Sequence, residues 1–313
     1  MKDMQTAIEN LCRGRKEQLD AYFKVTARDL EVENTLTQCH VHYIELDGNG
    51  RPRVEALIDY LINCLVDYAI PRKELDDAVL KYNENKSSSE MIKLFVKAKG
   101  LFSRLSKSGE GGELIMFLLA EKMLNLPQLI CKMNLKTSTE MHYHGADGLH
   151  LGLDSQKEKL CLYWGESKLY GDVNGAIYNC MKSIAPLLNG NGGVGSPEKR
   201  DLHLLSGFLD LNNRELEDAV KSYLDPDSVN FNKLEFRGLC LVGFDIDKYP
   251  KKPGELVSSD VERAVLESVS TWSGQVGKRV LEENIDKFSM HVFLIPFPSV
   301  DEFRSQFKAA LGD

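Results

Sequence analysis

Residues 147–168 read DGLHLGLDSQKEKLCLYWGESK, two apolar runs joined by a polar segment, and this stretch decides the predicted fold. Alternation on both sides of a short polar segment is typical of a β-hairpin. Side chains two residues apart lie on the same face of a strand, so Leu162 and Trp164 share one face. Glu166 and Lys168 continue the same row. An acid and a lysine at the end of an apolar row need a physical reason.

The register of the hairpin follows from its turn. If residues 154–159 form the turn, Leu153 faces Leu160, and counting along both strands from that pair places Asp147 opposite Glu166. Opposed Cβ atoms lie about 4.5–5.5 Å apart, and two ionised carboxylates at ~5 Å repel by roughly 3 kcal/mol at an effective dielectric constant of 20. A divalent cation, a shared proton or exposure to solvent would offset this repulsion.

Two carboxylates beside a lysine indicate metal-dependent hydrolysis. Oxygen-rich sites with few protein ligands suit Mg²⁺ or Mn²⁺. A neighbouring lysine can polarise the attacking water or stabilise charge as a phosphodiester is cut. Asp147, Glu166 and Lys168 are therefore candidate site residues. The alternative is a hairpin end that reaches solvent, where an acid pair and a lysine meet by chance.

The rest of the chain alternates between helical and extended patterns, while the first 36 or so residues are polar and mostly helical in character. Helical spacing occurs in six segments: 54–69, 112–124, 172–188, 204–224, 260–283 and 299–311. A Lys/Ser-rich join at residues 83–89 leads into a seventh, a basic amphipathic helix. Strand patterns outside the hairpin occur in four segments: 38–50, 128–136, 234–246 and 290–297. Asp172 is placed to cap the helix that follows the hairpin. This order predicts one α/β domain over residues 1–313, with a mixed β-sheet flanked by helices.

Composition excludes several classes of protein. The 313 residues are 42% hydrophobic and carry a formal net charge of −8, which argues against general electrostatic attraction to nucleic acid. No apolar run approaches the length of a membrane span, and the N-terminus lacks the apolar core of a signal peptide. The seven cysteines include no Cys-x-x-Cys pair, which is typical of a reducing compartment. We therefore expect a cytoplasmic protein with no membrane association.

The segment 85–110 is locally basic despite the acidic whole. Four of its basic side chains fall on one stripe of the predicted helix: Lys93, Lys97, Arg104 and Lys107. Such a stripe can contact phosphates, but a solvated face on a packed helix is the favoured interpretation.

Two further patterns resemble binding motifs without their structural context. The glycines of residues 190–195 match G-x-G-x-x-G, but they follow a helix rather than a strand, so we interpret the segment as a loop. The pairs His40 with His42 and His142 with His144 have strand spacing that can bind zinc. No third ligand is defined by spacing, so no zinc site is assigned.

The hairpin also carries a family resemblance. Gly145-Ala-Asp147, followed 19 residues after the aspartate by Glu166 and then Lys168, resembles the Asp…Glu-x-Lys core of the PD-(D/E)xK nucleases. Ala146 stands where the motif's name has proline. More closely, MHYHGADGLHLGL and LYWGESKLYGDVNGAI resemble the HamA family, the effector subunits of the bacterial Hachiman anti-phage system. The resemblance spans most of the chain and is most specific over residues 112–188.

This resemblance implies a restriction-endonuclease-like core at about residues 111–188, with N- and C-terminal elaborations. It implies a Mg²⁺-dependent (or Mn²⁺-dependent) deoxyribonuclease that works on DNA with a HamB-like helicase subunit. By position, Asp147 and Glu166 would be metal ligands and Lys168 the catalytic lysine. The rival hypothesis is a non-catalytic adaptor whose hairpin carboxylates bind a basic surface of a partner.

Three further positions have weaker links to such nucleases. Glu113 opens the helix before the hairpin, where many related nucleases place a third metal ligand. An acid that is merely favoured by the dipole at a helix N-terminus is an equal alternative. Asn174 and Tyr178 resemble the Gln-x-x-x-Tyr element of RecB-like nucleases, with asparagine in place of glutamine. A core position for Tyr178 is the favoured interpretation.

Overall fold

A computed structural model describes residues 2–14, 16–103, 109–133, 145–154, 156–190 and 207–312. Within these ranges the chain forms six strands: β1 (Phe23–Glu31), β2 (Thr37–Ile44), β3 (Gly148–Asp154), β4 (Lys159–Tyr170), β5 (Leu234–Asp245) and β6 (Met290–Phe297). The first five helices are α1 (Lys2–Glu9), α2 (Val54–Asn63), α3 (Leu65–Ala69), α4 (Arg72–Asn85) and α5 (Ser89–Ser103). The other five are α6 (Glu110–Met123), α7 (Val173–Asn189), α8 (Arg214–Leu224), α9 (Ser258–Glu282) and α10 (Val300–Leu311).

The six strands form one mixed sheet in the order β1-β2-β6-β5-β4-β3. The four inner strands run parallel, and β1 and β3 pair antiparallel at the two edges. The inner strands β5 and β6 are nearly continuous apolar runs, as expected where helices cover both faces of a parallel sheet. The predicted α/β fold with a mixed sheet is therefore confirmed, and it is consistent with a nuclease-like core.

Helices α6 and α7 cover opposite faces of β4. A Cβ atom built on Gly112 of α6 would lie 2.5 Å from Ser167 Oγ and 3.2 Å from Leu169 Cγ, so α6 faces the odd-numbered residues of β4. A Cβ atom on Gly238 of β5, which pairs with Trp164, would lie 3.3 Å from Ile184 Cδ1 of α7. The even-numbered row of β4 therefore faces α7.

The helix that follows the hairpin begins where the sequence predicts. Asp172 precedes α7, and its Oδ1 accepts a hydrogen bond of 2.8 Å from the Gly175 backbone N–H. The predicted helix 54–69 is interrupted at Cys64, between α2 and α3. Within the described part of 204–224, α8 begins at Arg214 because Asn213 caps it through a bond to the Leu216 N–H.

The mostly helical character predicted for the first 36 residues is wrong beyond residue 22. Residues Phe23–Glu31 form β1, whose side chains are largely exposed or half-buried. An edge strand with one side toward solvent needs little apolar alternation, and β1 also has irregular register between Val25 and Leu30. Both features remove the period-two signal that identifies a strand.

The predicted strand at 128–136 is also wrong over its described part, residues 128–133. Gln128 forms one isolated bridge with His150, and residues 132–133 have helical conformation. The segment crosses the edge of β3 through two backbone bonds only, Leu129 N–H to Leu149 O at 2.9 Å and Leu151 N–H to Pro127 O at 3.0 Å. A short apolar run that is buried without strand pairing has the same sequence pattern as a strand.

A single core joins both sides of the sheet among the described residues. The predicted extent of the domain and of its catalytic core is not tested by the structure and stays a prediction.

We predict that Gly112→Ala destabilises the protein, although alanine favours helix formation. The new methyl group would collide with Ser167 and Leu169, and such overpacking typically costs about 1–3 kcal/mol. Gly100→Ala in α5 is the matched control, because its Cβ would meet no atom within 4 Å. It should be neutral or stabilise by up to about 1 kcal/mol. Urea unfolding of both variants measures the difference, and equal stabilities would contradict the close approach of α6 to β4.

Candidate active site

The hairpin has the register that its turn predicts. Leu153 pairs with Leu160, Leu151 with Leu162 and Leu149 with Trp164, and the ladder ends at Gly148 with Gly165. These apolar side chains are buried, apart from the half-buried Leu153. The hairpin register is confirmed, and it delivers the residues that follow on both strands to one place.

Asp147 lies directly before β3, at the end of the ladder. Its backbone N–H donates to Gly165 O at 2.7 Å, and its Oδ2 accepts a hydrogen bond of 2.9 Å from the Ser167 N–H. The carboxylate therefore caps the position where antiparallel pairing stops. Asp147 is thereby held beside the residues from Glu166 to Lys168.

Glu166 and Lys168 form an ion pair on the face of β4 that α7 covers. The Glu166 side chain is 7% exposed and the Lys168 side chain 25% exposed, so the pair runs from the interior toward the surface. Cys180 of α7 packs against this segment, with its Sγ 3.6 Å from Glu166 O. Lys168 is therefore anchored by an acid but retains access to solvent.

Glu113 joins these residues from the first turn of α6. Its Oε2 accepts a hydrogen bond of 2.9 Å from the buried Tyr68 hydroxyl, and the residue is 7% exposed. Glu113 is close enough to raise the pKa values of both Asp147 and Glu166. Glu113 thus acts electrostatically on Asp147 and Glu166, and their assignment as site residues stays a prediction.

The pKa values of these side chains show that negative charges lie close together in a buried place. Burial, followed by Glu113 and Glu166, raises the pKa of Asp147 to about 8, while Lys168 opposes the shift. Burial also raises the pKa of Glu166, against the attraction of Lys168. Burial by itself would lower the pKa of Lys168, but Glu166 and Asp147 outweigh it and raise that pKa above its usual value. These four residues and Lys132, which is described in the next paragraph, form a group that we call the charged cluster.

Lys132 is the member that sequence reasoning missed. It is 1% exposed, and its positive charge lowers the pKa of Glu166 against the effect of burial. Tyr68, the hydrogen-bond donor to Glu113, was also not foreseen. One sequence signal could have identified Lys132: it lies between Cys131 and Met133 in an apolar run. Lysines are rarely buried unless they are paired, so a lysine in such a run indicates a nearby acid.

The donor chemistry of the cluster fits a divalent cation. The carboxylate groups offer the oxygen ligands that Mg²⁺ and Mn²⁺ prefer. A cation would also offset the repulsion from Glu113 and Glu166, which adds to the effect of burial in raising the pKa of Asp147. Within the described ranges, no three or more His, Cys, Asp or Glu side chains are already gathered as a metal site. Mg²⁺ is commonly held by only one or two carboxylates, with water completing its shell.

Asn174 and Tyr178 lie outside the charged cluster, on the outer side of α7. Tyr178 is 37% exposed, so the core position favoured for it is wrong. Its hydroxyl accepts a bond of 3.3 Å from Lys182, and the Arg279 guanidinium lies 5.0 Å from the ring centroid. Asn174 is exposed one turn earlier. The helical period placed both residues on one side of α7 but could not say which side faces the sheet.

The paired histidines are buried in the sheet and contact other side chains. His40 Nε2 lies 3.0 Å from His291 Nδ1, and His42 Nε2 lies 3.2 Å from Met123 Sδ. Burial lowers the pKa of His40 to about 4 and that of His42 to about 3. His142 and His144 lie outside the described residues. Over the part of the chain that is described, the histidines therefore support packing rather than a zinc site.

The basic stripe is locally neutralised where it is described. Lys93 and Lys97 form ion pairs of 2.6 Å with Glu90 and Glu74, and both lysines are exposed. Arg104 and Lys107 lie outside the described residues, as do the glycines beyond Gly190 in the 190–195 segment. These pairs agree with a solvated helix face.

A cavity of about 1100 Å³ lies at the other end of the strands, away from the charged cluster. Arg237 and His291 line it, but the Arg237 guanidinium is already bound to Asp154 and Glu235, at 2.8 Å each. The cavity contains none of the charged cluster, so its size does not mark it as the reactive site.

The sheet and its flanking helices define an α/β protein whose fold is consistent with a nuclease-like core. Sequence comparison gives the particular family: the HamA family model matches residues 20–311, nearly the whole chain, and the protein belongs to the HamA family. It is thus a component of the Hachiman anti-phage defence system. A comparison with curated proteins finds no match. In the described part of the chain, no helix has both the length and the apolar character needed to cross a bilayer.

We predict that acid destabilises the protein through its buried histidines. A histidine whose folded-state pKa lies near 3 or 4 stays neutral in the fold, while the unfolded chain binds a proton below about pH 6.5. The unfolded state then binds more protons, so the free energy of unfolding falls as the pH drops from about 6.5 toward 4. Each such histidine contributes a slope of up to about 1.4 kcal/mol per pH unit.

The measurement is urea unfolding at pH 7 and pH 5, with His42→Gln beside the unmodified protein. The change in free energy between the two pH values is the readout, so a general loss of stability in the variant does not affect it. His42→Gln should show a smaller change. An equal change in both proteins would contradict a neutral buried His42.

Proposed function

We propose that this HamA-family protein is a metal-dependent deoxyribonuclease subunit that hydrolyses phosphodiester bonds and acts with a HamB-like helicase partner. The observation that carries the proposal is the meeting of Glu113, Asp147, Glu166 and Lys168, from one helix and one hairpin end, in a crowded and partly buried group. Carboxylates beside a lysine are a donor set suited to phosphodiester hydrolysis.

The residues divide into cation ligands and a charge stabiliser. Asp147 and Glu166 would hold Mg²⁺ or Mn²⁺, with water completing the shell of the ion. Glu113 is a candidate third ligand from the resemblance, although the described acids are not gathered as a set of three. When bound, such an ion supplies Lewis-acid polarisation of a phosphoryl oxygen and lowers the pKa of water. Stabilisation of the negative charge that develops on the phosphate would come from a side chain, Lys168.

Lys168 is suited to stabilise negative charge rather than to accept a proton. Glu166 and Asp147 raise its pKa, so it is protonated near neutral pH. A protonated ammonium cannot serve as a general base, but it donates hydrogen bonds to phosphate oxygens. Its 25% exposure allows contact with a strand of DNA at the surface, while Glu166 holds it in place.

The adaptor hypothesis has less support. A docking surface for a basic partner needs accessible acids, yet Glu113 and the side chain of Glu166 are each only 7% exposed. Burying carboxylates beside one another is unfavourable, and a docking surface gains nothing from it. A catalytic role would explain why the carboxylates are buried, because charge interactions are stronger where water is excluded.

We predict that Glu166→Gln and Lys168→Met each abolish most DNA cleavage. Loss of one electrostatic contributor such as Lys168 should lower the rate by about 10²–10³-fold. Glu235→Gln and Lys159→Met are matched controls, because this pair forms an ion pair of 2.9 Å at the opposite end of β4. Both controls should cleave at the rate of the unmodified protein.

The assay measures DNA cleavage with Mg²⁺ or Mn²⁺, in the presence and absence of the helicase partner. Breaking a buried ion pair can cost about 3–5 kcal/mol of stability, so each variant also needs an unfolding curve. The double variant Glu166→Gln/Lys168→Met removes both charges and leaves no unpaired one from this pair. Full cleavage by a folded Glu166→Gln protein would refute the nuclease proposal and favour the adaptor.

A second prediction separates cation binding from catalysis. Mg²⁺ or Mn²⁺ should raise the melting temperature, since a ligand at 100 times its Kd stabilises the fold by about 2.7 kcal/mol. Asp147→Asn should reduce this shift strongly. Asp154→Asn is the control on the same hairpin, because Asp154 binds Arg237 at the far end. Equal cation-induced shifts in all three proteins would remove Asp147 from the site.

A further inference from the structure

Lys132 is a buried lysine beside the carboxylates that the proposed mechanism leaves unused. It lies in residues 127–133, between α6 and β3, and is 1% exposed. Bonds from Leu129 N–H to Leu149 O and from Leu151 N–H to Pro127 O attach this segment to β3. Asp147 directly precedes that strand. The segment is therefore anchored within a few residues of a candidate cation ligand.

The same segment contacts the part of the structure that holds Glu113. Cys131 Sγ lies 3.8 Å from Tyr68 O, and the Tyr68 hydroxyl donates to Glu113. The ammonium of Lys132 also acts on Glu166 from within this region. Lys132 thus lies between the elements that supply the cluster's acids, rather than on a separate surface.

The two lysines of the cluster differ in their freedom. Lys168 is 25% exposed at the end of β4, so its ammonium can turn toward a substrate. Lys132 is 1% exposed, so its ammonium does not reach solvent in this structure. Lys132 is therefore held inside the fold, beside the carboxylates.

We propose that Lys132 is a positioning residue that competes electrostatically with a divalent cation for Glu113, Asp147 and Glu166. The buried ammonium balances part of the carboxylate charge, and so it keeps the cation affinity of the protein alone low. A phosphate group of DNA adds negative charge and offsets this effect, so cation loading becomes coupled to substrate binding. The inference rests on the proposed function, since it requires these carboxylates to bind a cation.

The experiment measures the Kd of Mn²⁺, by calorimetry or by the spin resonance of the free ion, without any activity assay. Lys132→Met keeps the length and apolar stem of the side chain but removes its charge. It should tighten the Kd by about tenfold or more, as expected for removal of a buried unit charge near a divalent ion. Lys132→Arg retains the charge and should stay within about twofold of the unmodified protein.

Lys122→Met is the matched control for loss of a buried lysine. Lys122 is 6% exposed, and its ammonium lies 5.5 Å from the Tyr60 ring centroid. It follows Glu113 on α6 by nine residues, which corresponds to about 13 Å along the helix axis. Its substitution should leave the Kd of Mn²⁺ unchanged, whatever it does to stability.

The coupling to DNA is tested by repeating the titration with a duplex whose bridging bonds resist hydrolysis. DNA should tighten Mn²⁺ binding more in the unmodified protein than in Lys132→Met. A folded Lys132→Met protein with an unchanged or weaker Kd would overturn the inference and leave Lys132 a purely structural residue. If Lys132→Met does not fold, Lys132→Gln provides the same test with a polar side chain.

Two outcomes distinguish this inference from the proposed function. Mn²⁺ binding that survives Asp147→Asn unchanged would refute the cation site itself, whatever Lys132 does. Mn²⁺ binding that depends on Asp147 but not on the charge at position 132 would refute only the role of Lys132. If neither the unmodified protein nor Lys132→Met binds Mn²⁺, both proposals fail.

Discussion

The antiparallel register of β3 with β4 is the constraint on which the rest of the site depends. A slip of one residue would move the whole apolar row of β4 to the opposite face and carry Glu166 and Lys168 with it. Two buried cross-strand pairs oppose such a slip: Leu151 with Leu162, and Leu149 with Trp164. A slip would move these side chains out of their apolar surroundings. The parallel pairing of β4 with β5 fixes the position and the facing of β4 itself from the other side.

The close approach of α6 to β4 is the second requirement. Gly112 lets the helix backbone reach Ser167 and Leu169, which a larger residue would push away. Glu113 is the next residue of the helix, so this approach also brings its carboxylate to the cluster. Tyr68 then holds that carboxylate by a hydrogen bond from α3. Two consecutive residues therefore link packing to the site: Gly112 allows the close approach, and Glu113 supplies the carboxylate.

The charged cluster destabilises the fold locally, because it buries crowded carboxylates in a well-packed sheet. Burial raises the pKa of Asp147, and the neighbouring carboxylates of Glu113 and Glu166 raise it further. The apolar row and the helices on both faces of β4 provide the stability that tolerates this cost. Acids whose pKa values are shifted by burial and by neighbouring charges are a common feature of functional sites, where the chemistry needs charge in a place that excludes water.

The sequence by itself determined the hairpin, its register and three of the cluster's residues. Strand alternation and a polar turn are local signals, so Asp147, Glu166 and Lys168 could be brought together by counting along the chain. The cap of α7 by Asp172 was equally local. The order of helices and strands followed from apolar periodicity, except where the edge strand β1 lacks it.

Only the tertiary structure decided which distant residues complete the cluster. The approach of Glu113 depends on Tyr68, 45 positions earlier in the chain, and no periodicity encodes a contact over that distance. Lys132 is buried because its segment crosses β3 without forming the strand that its pattern predicts. Tyr178 shares its helix with core residues yet faces outward, because the packing of α7 on β4 and β5 selects which side is buried. Local pattern specifies the elements, whereas the choice of neighbours follows from packing between residues far apart in sequence.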